Sequence, residues 1–140
     1  MQRYDEHYKE TVFDAVACNV NQFYSLNETY GRQYGDLLLR SIGISMSKLV
    51  RKTGGIGCRK EGDTFLLYLP HQDDMEQLLR KFSDDLFVDE ETAGKVTLRF
   101  GVYVNARQER DIEERFACAK SAADSIEHDP QRICGFYLSE

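Results

Sequence analysis

The pattern of apolar and polar positions along the chain predicts an α+β domain. Residues 12–20 form a nearly continuous apolar run, which is typical of a strand at the centre of a sheet rather than at its edge. Three further segments repeat apolar residues every three or four positions, as helices packed on one face do. These predicted helices cover residues 36–52, 74–87 and 112–128. Further strands are predicted over residues 96–105 and 133–138.

A β-hairpin is predicted in the middle of the chain. Residues 57–60 and 64–69 lean apolar and flank Glu61-Gly62-Asp63, where glycine gives a short connection the backbone freedom it needs. The two acidic residues indicate a tip that presents a carboxylate, although an ordinary solvated turn has the same composition.

The predicted order of elements is β-α-β-β-α-β-α-β. Its first six elements follow the split βαββαβ pattern of a ferredoxin-like or polymerase-palm-like sheet, with an additional C-terminal helix and strand. In such a sheet the first strand ends beside the hairpin tip. We therefore expect Asn19, Asn21 and Asp63 to converge there.

Composition narrows the range of functions. The 140 residues suit one domain, and a net charge of −6 argues against a broad surface for nucleic acid or anionic membrane. No run is apolar enough to span a membrane, so we expect a cytoplasmic segment without membrane contact of its own, even if the full-length protein is anchored. The four cysteines lack metal-site spacing and are expected to be reduced and mostly buried. The histidines, His7, His71 and His128, stand in polar surroundings and are expected to be solvated.

Three segments resemble the GGDEF domain of diguanylate cyclases. They are N-V-N-Q-F-Y-S-L-N-E-T-Y-G-R-Q-Y-G-D (19–36), R-K-E-G-D-T-F-L-L-Y-L-P (59–70) and F-G-V-Y (100–103). The family's segments read D-x-D-x-F-K-x-x-N-D-x-x-G-H-x-x-G-D, R-x-G-G-D-E-F and S-x-G-[IV]. The resemblance implies a single degenerate GGDEF domain over residues 1–140, with a truncated N-terminal helix, excised from a larger protein. The closing I-C-G-F-Y-L-S-E is similar to the exit into an EAL phosphodiesterase domain, so an EAL neighbour is expected.

The departures from the family concern the metal site first. The resemblance places Asn19 and Asn21 where the family has its two aspartates, and Thr64 where it has the second acid of the signature turn. Asp63 retains the metal-binding acid. An amide oxygen brings no charge, and Mg²⁺ binding depends on charged ligands, so weak metal binding at Asp63, if any, is expected.

The phosphate-binding groups of the family are also altered. Glu61 adds a negative charge where the resemblance places the triphosphate, and Tyr24 replaces a lysine. The family's late basic pair falls on Ile126 and Pro130. The family's product-inhibition motif R-x-x-D is missing, since its positions hold Lys52 and Gly55. A bound nucleotide is therefore expected to be held by its base rather than its phosphates.

Asn27, Asp36 and Gly62 form the nucleotide-binding set that the resemblance implies. Asn27 and Asp36 match the family residues that hydrogen-bond the guanine edge, and Gly62 is kept in the signature turn. The residues alone leave another interpretation open, in which Asn27 caps a turn and Asp36 caps the following helix.

The resemblance thus implies a catalytically inactive GGDEF domain with a regulatory, dimerising or nucleotide-sensing role in cyclic di-GMP signalling. Its expected partners are GTP or another guanine nucleotide, the covalent EAL neighbour and a second copy in a homodimer. No cofactor is expected. Two alternatives stay open: an active diguanylate cyclase that holds Mg²⁺ with Asp63 and backbone carbonyls, and a structural spacer that binds nothing.

Overall fold

A computed structural model describes residues 12–86, 96–104, 106, 111–126, 129 and 132–138. The strands in this part of the chain are β1 (Phe13–Val20), β2 (Ile56–Glu61), β3 (Thr64–Pro70), β4 (Leu98–Val104) and β5 (Cys134–Leu138). The helices are α1 (Phe23–Tyr30), α2 (Arg32–Thr53), α3 (Met75–Asp84) and α4 (Ile112–Asp124).

The strands form one sheet in the order β2-β3-β1-β4-β5. Neighbouring strands run antiparallel except β4 and β5, which are parallel and joined through α4. This arrangement confirms the predicted α+β, palm-like fold with its additional C-terminal helix and strand. It also confirms β1 as the central strand and the predicted hairpin as β2 and β3.

Alternate residues of the strands face two separate cores, as the pleat requires. On the first face, Val16, Cys18 and Val20 of β1 lie in a large apolar cluster with the buried stripes of α2 and α3. On the second face, Ala15 and Ala17 join Phe116 and Ala119 of α4. Side chains are therefore assigned to a face by their parity along each strand.

Helix α4 lies very close to the second face of the sheet. A Cβ atom added to Gly101 of β4 would overlap the backbone oxygen of Ala119 and lie 2.5 Å from the backbone nitrogen of Ala123. Small residues on the strands are what allow this approach. At its N-terminus α4 is capped by Asp111, which accepts a hydrogen bond of 2.8 Å from the Glu114 amide.

The environments of the cysteines and the apolar character of the helices are two further features of the fold. Cys18, Cys118 and Cys134 are buried free thiols and Cys58 is an exposed one, in agreement with reduced and mostly buried cysteines. Burial raises the pKa of the Cys134 thiol to about 12, so it stays protonated. No helix in the described ranges has both the length and the apolar character needed to cross a membrane.

The expectation that His71 is solvated is wrong. Its Nδ1 atom lies 3.0 Å from both carboxylate oxygens of Asp14, which is completely buried in β1. The His71 backbone amide also donates to the Val12 carbonyl at 2.8 Å. A buried carboxylate needs hydrogen-bond donors, and His71, just beyond β3, is one of them. His7 and His128 lie outside the described residues.

We expect His71→Ala to lower the free energy of unfolding by about 1–3 kcal/mol, because the buried Asp14 carboxylate loses a hydrogen-bond partner. Urea denaturation measures this change. The control is Asp73→Ala: Asp73 is fully exposed and its Oδ1 lies 3.7 Å from His71 Nε2, so its removal should leave the stability nearly unchanged. Equal effects of the two substitutions would contradict a structural role for His71.

Candidate functional site

The tip of the hairpin lies beside the end of β1, as predicted. Thr64 pairs with Asn19 across β3 and β1, and the Val20 amide donates to Asp63 Oδ2 at 3.2 Å. Gly62 has a φ of +52°, which suits glycine at the first position of a two-residue turn. Arg59 fixes the same turn, since its Nε donates to the Gly62 carbonyl at 2.9 Å. Asn19 and Asp63 therefore converge at this edge of the sheet.

The described contacts of Asn21 are with the approach to β4 and with α1. Its backbone amide donates to the Thr97 carbonyl at 2.8 Å, just beyond the end of β1. It lines a cavity of about 260 Å³ together with Thr97 and residues of α1. The expectation that Asn21 also reaches the hairpin tip stays a prediction.

A row of polar residues crosses the sheet at the site. Thr64, Asn19 and Arg99 are successive neighbours on β3, β1 and β4. Asn19 Oδ1 and Arg99 Nε are both buried, and neither has a hydrogen-bond partner within the described part of the chain. Arg99 was not identified from the sequence, although one charged residue inside the apolar strand V-T-L-R-F-G-V is the signal that could have revealed it.

The charge of Asp63 affects the buried thiol of Cys18. Burial above all, and then the negative charge of Asp63, raises the pKa of the Cys18 thiol in β1 far above its usual range. Cys18 therefore remains protonated and belongs to the core. The Asp63 carboxylate itself is half-buried.

The residues at the tip fit a divalent cation poorly. Among the described residues no cluster of three or more His, Cys, Asp or Glu side chains could hold a metal ion. The described donors here are the Asp63 carboxylate, already bonded to the Val20 amide, and the neutral oxygen of Asn19. Mg²⁺ gives up its hydration water reluctantly and is usually bound through carboxylates and substrate phosphates, so this donor set is weak.

The packing of α1 against α2 places Asn27 against Gly35, the residue before Asp36. A Cβ atom on Gly35 would overlap the Asn27 side-chain oxygen, lie 2.9 Å from its Cγ and lie 3.3 Å from the Phe23 ring. The Asn27 side chain thus occupies the space beside Gly35, the residue before Asp36. Asn27 Oδ1 is buried without a hydrogen-bond partner among the described residues, whereas Asp36 is exposed.

The capping interpretation of these two residues is wrong. Asn27 lies inside α1, whose N-cap is Gln22, and Asp36 is the fifth residue of α2, whose N-cap is Gly31. Helix α2 begins four residues before the predicted start. Gly31, at a φ of 94°, ends α1 and changes the chain direction within a single residue, so no loop is needed. Neither side chain is therefore engaged in capping.

The remaining positions marked by the sequence differ in their burial and surroundings. Tyr24 is 74% exposed on α1, and Ile126 is buried after α4. Lys52 lines a cavity of about 330 Å³ between α2 and α3. The Glu61 side chain and Pro130 lie outside the described part of the structure.

Comparison with known proteins points to one family. The family model described as "Diguanylate cyclase, GGDEF domain" matches residues 1–132. No curated protein sequence matches the chain.

Solved structures share the fold at low sequence identity. The active GGEEF domain of a diguanylate cyclase from Vibrio cholerae is 14% identical with a TM-score of 0.78, over 99% of this chain and 90% of that one. Diguanylate cyclase SiaD from Pseudomonas aeruginosa is 24% identical with a TM-score of 0.80, over 97% of this chain and 55% of that one. An EAL/GGDEF domain protein from M. capsulatus is 20% identical with a TM-score of 0.77, over 93% and 87%.

We expect Gly35→Ala to destabilise the domain by about 1–3 kcal/mol, since the new methyl group collides with the Asn27 side chain. Adding Asn27→Ala should remove the collision and restore most of the loss. The matched control is Gly43→Ala, also within α2, where a Cβ atom meets nothing within 4 Å. That control should stabilise the domain by about 0.5–1 kcal/mol. Urea denaturation of the unmodified chain and the three variants tests the contact, and a stabilising Gly35→Ala would disprove it.

Proposed function

Because the chain belongs to the diguanylate cyclase GGDEF domain family, we propose that it is a catalytically inactive member that senses a guanine nucleotide in cyclic di-GMP signalling. The observation that carries this proposal is the neutral pair at the tip. The register places Asn19 beside Thr64, so two uncharged side chains stand next to Asp63.

The charge of these residues decides the chemistry. Joining two GTP molecules requires a ribose hydroxyl to attack an α-phosphate, and the family does this with divalent cations held by carboxylates. Asp63 alone, already accepting from the Val20 amide, is a poor replacement for such a set. We therefore propose that the domain works without a resident metal ion or other cofactor.

Asn27 and Asp36 support retention of the base. The guanine edge offers O6 as an acceptor and N1–H and N2–H₂ as donors. The Asn27 amide can both donate and accept, and its buried oxygen has no partner among the described residues. The exposed Asp36 carboxylate is an acceptor for the guanine donors.

We propose that the domain acts on a covalent EAL neighbour. One similar structure is an EAL/GGDEF domain protein, and another is the S helix-GGDEF-EAL part of Vibrio cholerae LapD bound to c-di-GMP. A nucleotide could bias such a neighbour only through different affinity for its two arrangements, and coupling of this kind is about 1–3 kcal/mol. In a homodimer of the domain, the same nucleotide binding could bias the second copy instead of an EAL neighbour.

We expect no cyclic di-GMP from the domain with GTP and Mg²⁺. Loss of charged metal ligands costs several kcal/mol of transition-state stabilisation, and each 1.4 kcal/mol is about tenfold in rate. Chromatography of the reaction mixture measures the product, with the active GGEEF domain from Vibrio cholerae as the positive control. Product above that of a heat-inactivated sample would favour the active-cyclase alternative.

We expect guanosine to bind and adenosine not to bind, as measured by calorimetry. Asn27→Ala and Asp36→Ala should each weaken guanosine binding by about 10- to 100-fold, the range for hydrogen bonds that involve a charged or buried group. Asp84→Ala, which removes an exposed carboxylate of α3, is the matched control and should leave the affinity unchanged. Absence of guanosine binding by the unmodified chain would leave the spacer alternative.

A further inference from the structure

We propose that Arg99 and Asn19 form an oxyanion site that binds a phosphate group without a divalent cation. The site itself is independent of the proposed function, and only the idea that a guanine nucleotide carries the phosphate depends on it. The sequence-based expectation that nucleotide phosphates find no cationic partner did not include Arg99.

Arg99 and Asn19 lie on the same face of the sheet. They are directly paired in the register of β1 with β4. Leu98 and Phe100, on either side of Arg99, belong to the core of the first face, so the Arg99 side chain lies on the second face. Asn19 follows Ala15 and Ala17 on that face by the same alternation. Directly opposed side chains have Cβ atoms about 4.5–5.5 Å apart, so one small ligand can reach both.

The Nε of Arg99 lacks a hydrogen-bond acceptor of the kind that Arg59 and Arg115 have. Arg99 is half-buried, and its Nε is shielded from solvent with no hydrogen-bond partner among the described residues. By contrast, Arg59 donates to the Gly62 carbonyl, and the buried Arg115 donates to the Tyr68 hydroxyl at 3.3 Å. A guanidinium is always charged at physiological pH, so a partly buried one without a partner is costly.

The surroundings leave this positive charge available to a ligand. Thr64 and Asn19 are neutral and separate Arg99 from Glu61 of β2 in the register, and the nearby acid Asp63 is bonded to the Val20 amide. A planar guanidinium offers a fork of N–H donors that matches the oxygens of a phosphate. The Asn19 amide can add an N–H donor, and a phosphate that keeps one hydroxyl group offers a donor to the unpaired Asn19 Oδ1.

A divalent cation does not fit the same place. The Arg99 charge would repel it, and the Asn19 oxygen opposite brings no negative charge to offset that repulsion. The guanidinium thus supplies the positive charge that a metal ion would otherwise bring to the phosphate. The site is accordingly selective for an oxyanion over a cation.

Pyrophosphate in the presence of EDTA is the probe for this site, with binding measured by calorimetry or by NMR titration. We expect saturable binding to the unmodified chain and binding at least about tenfold weaker to Arg99→Gln. Arg99→Lys should fall between them, because an ammonium keeps the charge but loses the fork. Arg40→Gln, which removes an exposed arginine of α2, is the matched control and should bind as the unmodified chain does. No saturable binding, or unchanged binding by Arg99→Gln, would overturn the proposal.

Asn19→Asp provides a second test that does not remove Arg99. The new carboxylate would lie opposite the guanidinium and pair with it, so thermal stability should rise while pyrophosphate binding is lost. Retained pyrophosphate binding by this variant would count against the proposal. Guanosine titration separates the two hypotheses: pyrophosphate binding without guanosine binding leaves the oxyanion site and rejects base sensing, and the reverse result does the opposite.

Discussion

The register of β1 between β3 and β4 is the constraint on which the rest of the structure depends. A slip of one residue would move Val16 and Cys18 from the first face to the second and put Asn19 on the first face. The same register places Asn19 between Thr64 and Arg99 at one end of the strand. At the other end Asp14 pairs with Leu69, and its carboxylate contacts His71 just after β3. Polar contacts are therefore present at both ends of β1.

The second face of the sheet shows how packing limits the site. Ala15 and Ala17 are almost fully buried on β1 under α4, and Gly101 has no room for a side chain against that helix. Two residues further along β1, Asn19 is only half-buried. Close packing of α4 therefore requires a small residue at Gly101, while the buried rings of Tyr68 and Tyr103 flank Ala15 on the same face. The polar row lies further along β1, where burial is lower.

The sequence was sufficient for most of the fold, because local periodicity and turn composition determine its elements. The central strand, the hairpin and the convergence of Asn19 with Asp63 could all be predicted. The pairing of Asp14 with His71 could not, since the two residues are 57 positions apart and Asp14 stands within an apolar run. The start of α2 was missed because Gly31 ends one helix and begins the next without any loop. Arg99 was missed since its significance depends on its neighbour across the sheet.

Charge, rather than backbone geometry, distinguishes this edge of the sheet from the pattern of its family. The hairpin turn, the strand register and the helix pair that carries Asn27 and Asp36 are all in place. In the family pattern, acids at the end of β1 and at the tip give the edge a negative charge that suits cations. Here Asn19 and Thr64 are neutral and Arg99 is positive, while Asp63 remains. Electrostatic interactions are strongest where water is partly excluded, so exchanges of charge among half-buried groups can alter the preferred ligand without any change of fold. In the oxyanion site that we propose, the scaffold that would hold a metal ion to position a phosphate binds the phosphate directly through Arg99.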